Sequence, residues 1–224
     1  YESGWRKAIL PLLAAAILLA FLGHIPVALA VLFFYGLMGI VMGNSLQKQD
    51  PPWRLFGQSL LAGTGGIVIL WLLGRIIFKQ DAFALMQKGM REAMTGAMKF
   101  YKSMSLNSQQ LAMLEQMQKA FLELMDVAVP AMLLLAVMLL LLVNFQVSRK
   151  IIGRMGGEAI QLPPFTSWRL PWYLVWVFIG SFILASRGVG TIPYKLGLNI
   201  YVITMFLYGL QGLAVVASFF GKWG

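Results

Sequence analysis

Side chains able to do chemistry are few in this chain, and their spacing fits binding better than reaction. One stripe stands out. Tyr201, Thr204, Tyr208 and Gln211 recur at intervals of three and four, so a helix would present them on one face. Asn199 and Tyr208 lie about two and a half turns apart and do not share that face. The residues around the stripe are apolar, so its hydroxyls and amide need partners within hydrocarbon. Two readings fit: hydrogen bonding between helices, or the wall of a pocket for a small ligand. Asn144, late in another apolar segment, is a further candidate ligand-binding residue.

Catalysis finds little else to work with. His24 is the single histidine, and there is no cysteine, so His clusters, thiolates and Cys-held metals are excluded. No Asp or Glu lies well inside an apolar segment, which removes the usual carboxylate of an ion-coupled pump. Gly63-Thr64-Gly65-Gly66 lacks the lysine and the strand–helix setting of a phosphate loop. These gaps predict a protein that is not an enzyme and carries no metal or cofactor.

Other residue patterns suit docking. Gly39 and Gly43, Ala16 and Ala20, and Ala62 and Gly66 are small pairs at a spacing of four, which lets helix backbones approach within lipid. They fit internal packing or a docking face for another membrane subunit. Met86, Met90, Met94 and Met98 recur every fourth residue with cations on the other faces. This flexible, polarizable row fits packing, a lid or a partner groove, with Met90 and Met94 central. A third element is the loop Gln161–Pro171, where Pro164, Trp168 and Arg169 fit an interfacial connector or a docking element.

The elements that must position these groups are apolar. Pro11–Leu22, Val27–Gly43, Gly57–Leu73, Val127–Val143, Trp172–Ser186 and Gly197–Gly221 contain no charged residue and no histidine. Hydrophobic residues make up 59% of the chain and charged ones 12%, about half the charged share of a soluble domain. Mean hydropathy is +0.77. These values predict an all-α, polytopic membrane protein forming a single helical domain. Six spans are expected, about 8–22, 26–43, 55–78, 127–147, 172–186 and 196–220. Pro11 would sit in the first turn of the first span, and Pro51-Pro52 would stop helix before the third.

Residues 80–126 differ in kind and predict an extramembrane hairpin of two amphipathic helices, about 81–104 and 108–126, with Asp81 and Ser108 as N-caps. In the second helix Leu111, Leu114, Met117, Phe121 and Leu124 form the apolar face.

The net charge of +10 sits mainly in the joints between spans, which argues for membrane topology and against nucleic-acid binding. Arg6, Lys7, Lys48, Arg54, Arg149, Lys150, Arg154, Arg169 and Lys222 fall on one side, and fewer short-joint cations on the other. The first side is therefore cytoplasmic, with both termini, and the hairpin lies outside. Because the chain opens on Tyr1, a fragment lacking upstream spans is expected.

The string from Asn144 through Gln146, Arg149 and Lys150 to Ile152, followed by Pro163-Pro164-Phe165 and Trp168-Arg169-Leu170-Pro171, resembles the YybS-like family. Gly39-Ile40-Val41-Met42-Gly43 and a methionine-containing region ahead of Asn144 add to the resemblance. These are uncharacterised bacterial polytopic membrane proteins, distantly similar to the S components of energy-coupling-factor vitamin transporters. The resemblance implies a bacterial cytoplasmic-membrane protein of about eight spans, two of them upstream of this chain. It further implies a small-molecule binding or transport subunit docking on an ABC-type coupling protein, with Ala16 and Ala20 mimicking the alanine docking motif. A cell-envelope scaffold using the methionine-rich hairpin as its partner surface is the alternative function.

Overall fold

The computed structural model describes residues 5–79, 81–104, 107–156 and 164–221. Ser105 and Leu106 of the expected hairpin joint, Gln161–Pro163 of the proline-rich loop and Lys222 lie outside the described residues. The described chain is all-α. Eight α-helices follow in order: α1 Trp5–Phe21, α2 Ile25–Ala30, α3 Leu37–Gln47, α4 Pro52–Ile77, α5 Ala82–Ser103, α6 Ser108–Arg154, α7 Leu174–Ala185 and α8 Ile192–Phe220. A wider π turn, Val31–Gly36, joins α2 to α3 without a break.

Each expected apolar span is helical apart from one or two residues at an end, as at Trp172, Tyr173 and Ser186 around α7. Four helical runs are long and apolar enough to cross a bilayer: Ile25–Gln47, α4, α6 and α8. Apolar stretches Ala8–Phe21 and Leu174–Ala185 are shorter. At 12 residues, α7 is about 18 Å long, well under the roughly 30 Å of a hydrocarbon core. Only 11% of the apolar window of α4, and the same share of α8, is buried inside the protein. Much of the remainder is exposed apolar surface suited to lipid.

Three boundary expectations change. Pro11 lies in the second turn of α1, because the helix starts at Trp5 rather than Ala8. Pro52 starts α4, at a position whose N–H would have no intrahelical partner anyway. The second hairpin helix and the fourth span, expected as separate elements at about 108–126 and 127–147, form a single helix. No glycine or proline separates Glu123 from Val129, and α6 runs unbroken for 47 residues, about 70 Å, with Pro130 inside it.

Two compact units divide the chain. The first comprises residues 1–80 and 134–162, the second 81–133 and 163–224. In the first unit, α1 ends at Gly23, whose φ of +83° is the left-handed conformation that terminates helices. There Gly23 N–H donates to the Ala20 carbonyl and His24 N–H to that of Leu19, closing the end before α2 turns back. The core gathers Met38 and Met42 of α3, Leu55 of α4, and Val137, Leu141 and Phe145 of α6. Phe145 and Phe56 meet with ring centroids 5.3 Å apart.

Small residues let these helices close. Leu55, Ser59, Gly63 and Gly66 are the buried residues of α4, at helical spacing along one face. A Cβ on Gly63 would lie 2.9 Å from Val137 Cγ1, and one on Gly66 only 2.1 Å from the Phe33 carbonyl oxygen in the π turn. Backbone therefore packs on backbone at Gly66, with no side chain to give way.

Gly66→Ala should lower the detergent-solubilised protein's melting temperature, with a loss of about 3 kcal/mol, the upper end of overpacking costs. Gly39→Ala meets open space and should be neutral or gain up to about 1 kcal/mol of helix propensity. Equal losses at the two sites would contradict this packing.

Candidate functional site

The α5–α6 hairpin of the second unit is built from its caps outward. Asp81 Oδ1 accepts from the backbone N–H groups of Phe83 and Ala84, as its N-cap role requires. At α6 the cap is Asn107 rather than Ser108. Asn107 Oδ1 accepts from Gln110 N–H at 2.8 Å while Gln110 Oε1 accepts from Asn107 N–H at 3.0 Å. This reciprocal pair satisfies two donors, whereas a serine one residue later would satisfy one.

Ion pairs set the register. Arg91 pairs with Asp126, and Lys102 Nζ lies 2.6 Å from Glu115 Oε1. Eleven residues forward on α5 (91 to 102) match eleven backward on α6 (126 to 115), so the two helices run antiparallel. Both pairs are about half exposed and add little stability; their value is alignment.

The methionine row does not stay on one face. Met86 and Met90 are exposed, Met94 is half-buried and Met98 is buried. Each step of four residues turns about 40° past a full turn, so Met98 points about 120° away from Met86. The hairpin's exposed apolar surface includes Leu85, Met86, Met90 and Phe100 on α5 with Met113, Met117, Phe121 and Leu124 on α6. On the polar side of α5 lies an open groove of about 510 Å³, lined by Gln87, Lys88, Arg91, Glu92, Thr95 and Lys99 over Ala84 and Gly96.

The stripe on α8 faces α7. Tyr201 stacks on Phe178 at 5.1 Å between centroids, and Tyr208 meets the same ring edge-on at 5.7 Å. Thr204 is buried and its hydroxyl donates back to the carbonyls of Ile200 and Tyr201. Gln211 Oε1 accepts from Leu170 N–H at 3.3 Å. All four residues come together, and each has a partner inside the second unit. Asn144 is half-buried on the part of α6 that belongs to the first unit.

Two positions outside the expected site organise this unit. A Cβ on Gly197 would fall 2.5 Å from Ala185 N and 2.6 Å from Leu184 Cβ, so glycine is what brings α8 against the end of α7. The second is Asn199, which meets α6 beside Pro130. Its Oδ1 accepts from Ala131 N–H at 2.9 Å, and its Nδ2 donates to the Val127 carbonyl at 2.8 Å and to that of Lys195 at 2.8 Å. Val127 and Ala131 are the pair that would bond to each other in an unbroken helix. The carboxamide bridges that pair. Its sequence signal was a proline inside a charge-free span and an unassigned asparagine in another.

The docking candidates separate by cover. Ala16 is buried by its own unit, while Ala20 and Gly39 are exposed and Gly43 is half-buried. Nothing lies within 4 Å of where a Cβ would sit on Gly39 or Gly43. In the loop, Pro164 and Arg169 are exposed, and Trp168 meets Phe165 edge-on at 5.5 Å. Rather than staying extended, the described part holds a 3-10 turn at Phe165–Ser167, closed by Ser167 N–H donating to the Pro164 carbonyl.

Across residues 1–224 the chain matches the family model described as "Predicted membrane protein (DUF2232)", and it belongs to that family. No curated protein and no solved structure matches it.

Tyr201→Ala and Phe178→Ala should each destabilise the protein, with a double-mutant coupling of about 0.5–1.5 kcal/mol for the ring pair. Tyr201→Phe should retain most of the stability. Denaturation in mixed micelles measures this, and zero coupling would mean the rings do not support each other.

Proposed function

We propose that this family member is a non-enzymatic interaction subunit of the bacterial cell envelope, and that the apolar face of its α5–α6 hairpin captures another membrane protein. One observation carries the reading: Leu85, Met86 and Met90 on α5 and Met113, Met117, Phe121 and Leu124 on α6 remain exposed. The same helices carry regularly spaced charges and fixed caps. Segments with charges at that spacing, α5 and residues 108–126 of α6, do not cross a bilayer, so this apolar face calls for a partner or the membrane surface. Methionine suits it to an irregular apolar helix, because its side chain repacks at low cost. In this proposal the hairpin lies outside the cytoplasmic membrane and both ends of the chain lie inside, following the cation placement.

The transport-subunit reading needs a ligand wall at Tyr201, Thr204, Tyr208 and Gln211. Those groups are engaged by Phe178, by carbonyls of α8 and by Leu170. The exposed hairpin face is the better supported choice.

A photo-reactive residue at Met90 or Met117 of the full chain, activated in bacterial membranes, should give a discrete protein adduct. The same residue at lipid-facing Leu61 should not. Adding Met86→Glu to the Met117 probe should cut the adduct several-fold. Lipid adducts alone, or equal protein labelling at all three positions, would overturn the proposal.

A further inference from the structure

We propose that Pro130 and Asn199 form a latched hinge, at which α6 has two settings and the Asn199 carboxamide holds one of them. Proline in a helix interior loses its own bond to the carbonyl four residues back, and its ring pushes that carbonyl away. The next bond, from Ala131 N–H to the Val127 carbonyl, is then strained as well. In the structure Asn199 takes both ends of it, accepting from Ala131 at 2.9 Å and donating to Val127 at 2.8 Å. A side chain inserted into the backbone ladder is a recognised cause of a bent helix.

The second setting follows from the same atoms. If the carboxamide withdraws, Ala131 N–H can bond the Val127 carbonyl directly and the backbone at Pro130 takes a second setting. Asn199 Nδ2 keeps its bond to the Lys195 carbonyl on its own helix, while Oδ1 gives up its donor, which weights the balance toward the latched setting. The settings differ by the exchange of two bonds for one, so the latched setting dominates in the wild type and the second is a minor population. Anything that prefers one setting shifts the balance by its differential affinity.

Other features of the second unit suit motion at this point. On one side of Pro130, α6 forms the hairpin with α5, aligned by two half-exposed ion pairs. On the other partner helix, Gly197 and the Phe178 contacts hold α8 to α7 independently of Asn199. Release of Asn199 therefore removes two hydrogen bonds between α8 and α6 without touching the contacts that hold α8 to α7. The hinge does not depend on the partner proposed for the hairpin face.

The absence of cysteine makes the test direct, because spin labels attach only at introduced sites. Gln116→Cys on α6 and Leu213→Cys on α8 are both exposed positions in the second unit. Electron–electron distance measurement on the full chain in nanodiscs should show one dominant separation. Asn199→Leu should add a second population holding about a third or more of the molecules. Combining it with Pro130→Ala should restore a single population, because the backbone ladder then closes unaided. An unchanged distribution for Asn199→Leu, or a split one for the double variant, would overturn the hinge. If Asn199→Leu does not yield folded protein, Pro130→Ala alone decides. It should give one population displaced from the wild-type separation, and an undisplaced one refutes the proposal.

Discussion

A bilayer offers no water to a broken backbone bond, and the second unit is arranged around one such break. Pro130 withholds a donor from the ladder of α6, and the next donor and its acceptor, Ala131 N–H and the Val127 carbonyl, both bond Asn199 of α8. That requirement fixes α8 in rotation, because only one face can present Asn199 to α6. Gly197 lies two residues earlier, about 200° around the helix, so the opposite face packs on Leu184 and Ala185 of α7. The aromatic contacts of Tyr201 and Tyr208 with Phe178 extend that second face. One proline thus accounts for how α8 is held between two neighbours.

The first unit solves a different problem, which is gaining packing energy where lipid already satisfies apolar side chains. Dispersion contacts count only when helices come close, so the contact face of α4 is stripped to Ser59, Gly63 and Gly66. Against Gly66 the opposing chain widens into a π turn whose Phe33 carbonyl points at the glycine. Larger side chains at Leu55, Phe56 and Phe145 fill the other end of the same interface. The chain therefore combines close backbone approach and side-chain filling along a single helix.

Charge-free runs made the helices legible, since their composition leaves no other way to satisfy the backbone. The caps were half legible: Asp81 was visible, whereas Asn107 was hidden behind the equally suitable Ser108. Spacing put Tyr201, Thr204, Tyr208 and Gln211 on one face, but spacing does not say whether that face meets a ligand or a helix. Phe178 answers in the fold, and no local pattern announces it. The π turn had no signal, because Val31–Gly36 reads as ordinary apolar helix. Continuity of α6 was missed because the change from amphipathic to apolar composition at Val127 resembles a boundary, although no breaking residue is there.

The central claim, that the Asn199 side chain bridges the Ala131 donor and the Val127 acceptor beside Pro130, is tested most directly by a thermodynamic cycle. Unfolding free energies would be measured in mixed micelles for the wild type, Asn199→Leu, Pro130→Ala and the double variant. A coupling of about 1–2 kcal/mol is predicted, since Asn199→Leu should cost far less once the ladder can close on its own. A coupling near zero would mean that the carboxamide and the proline act independently, and would contradict the account.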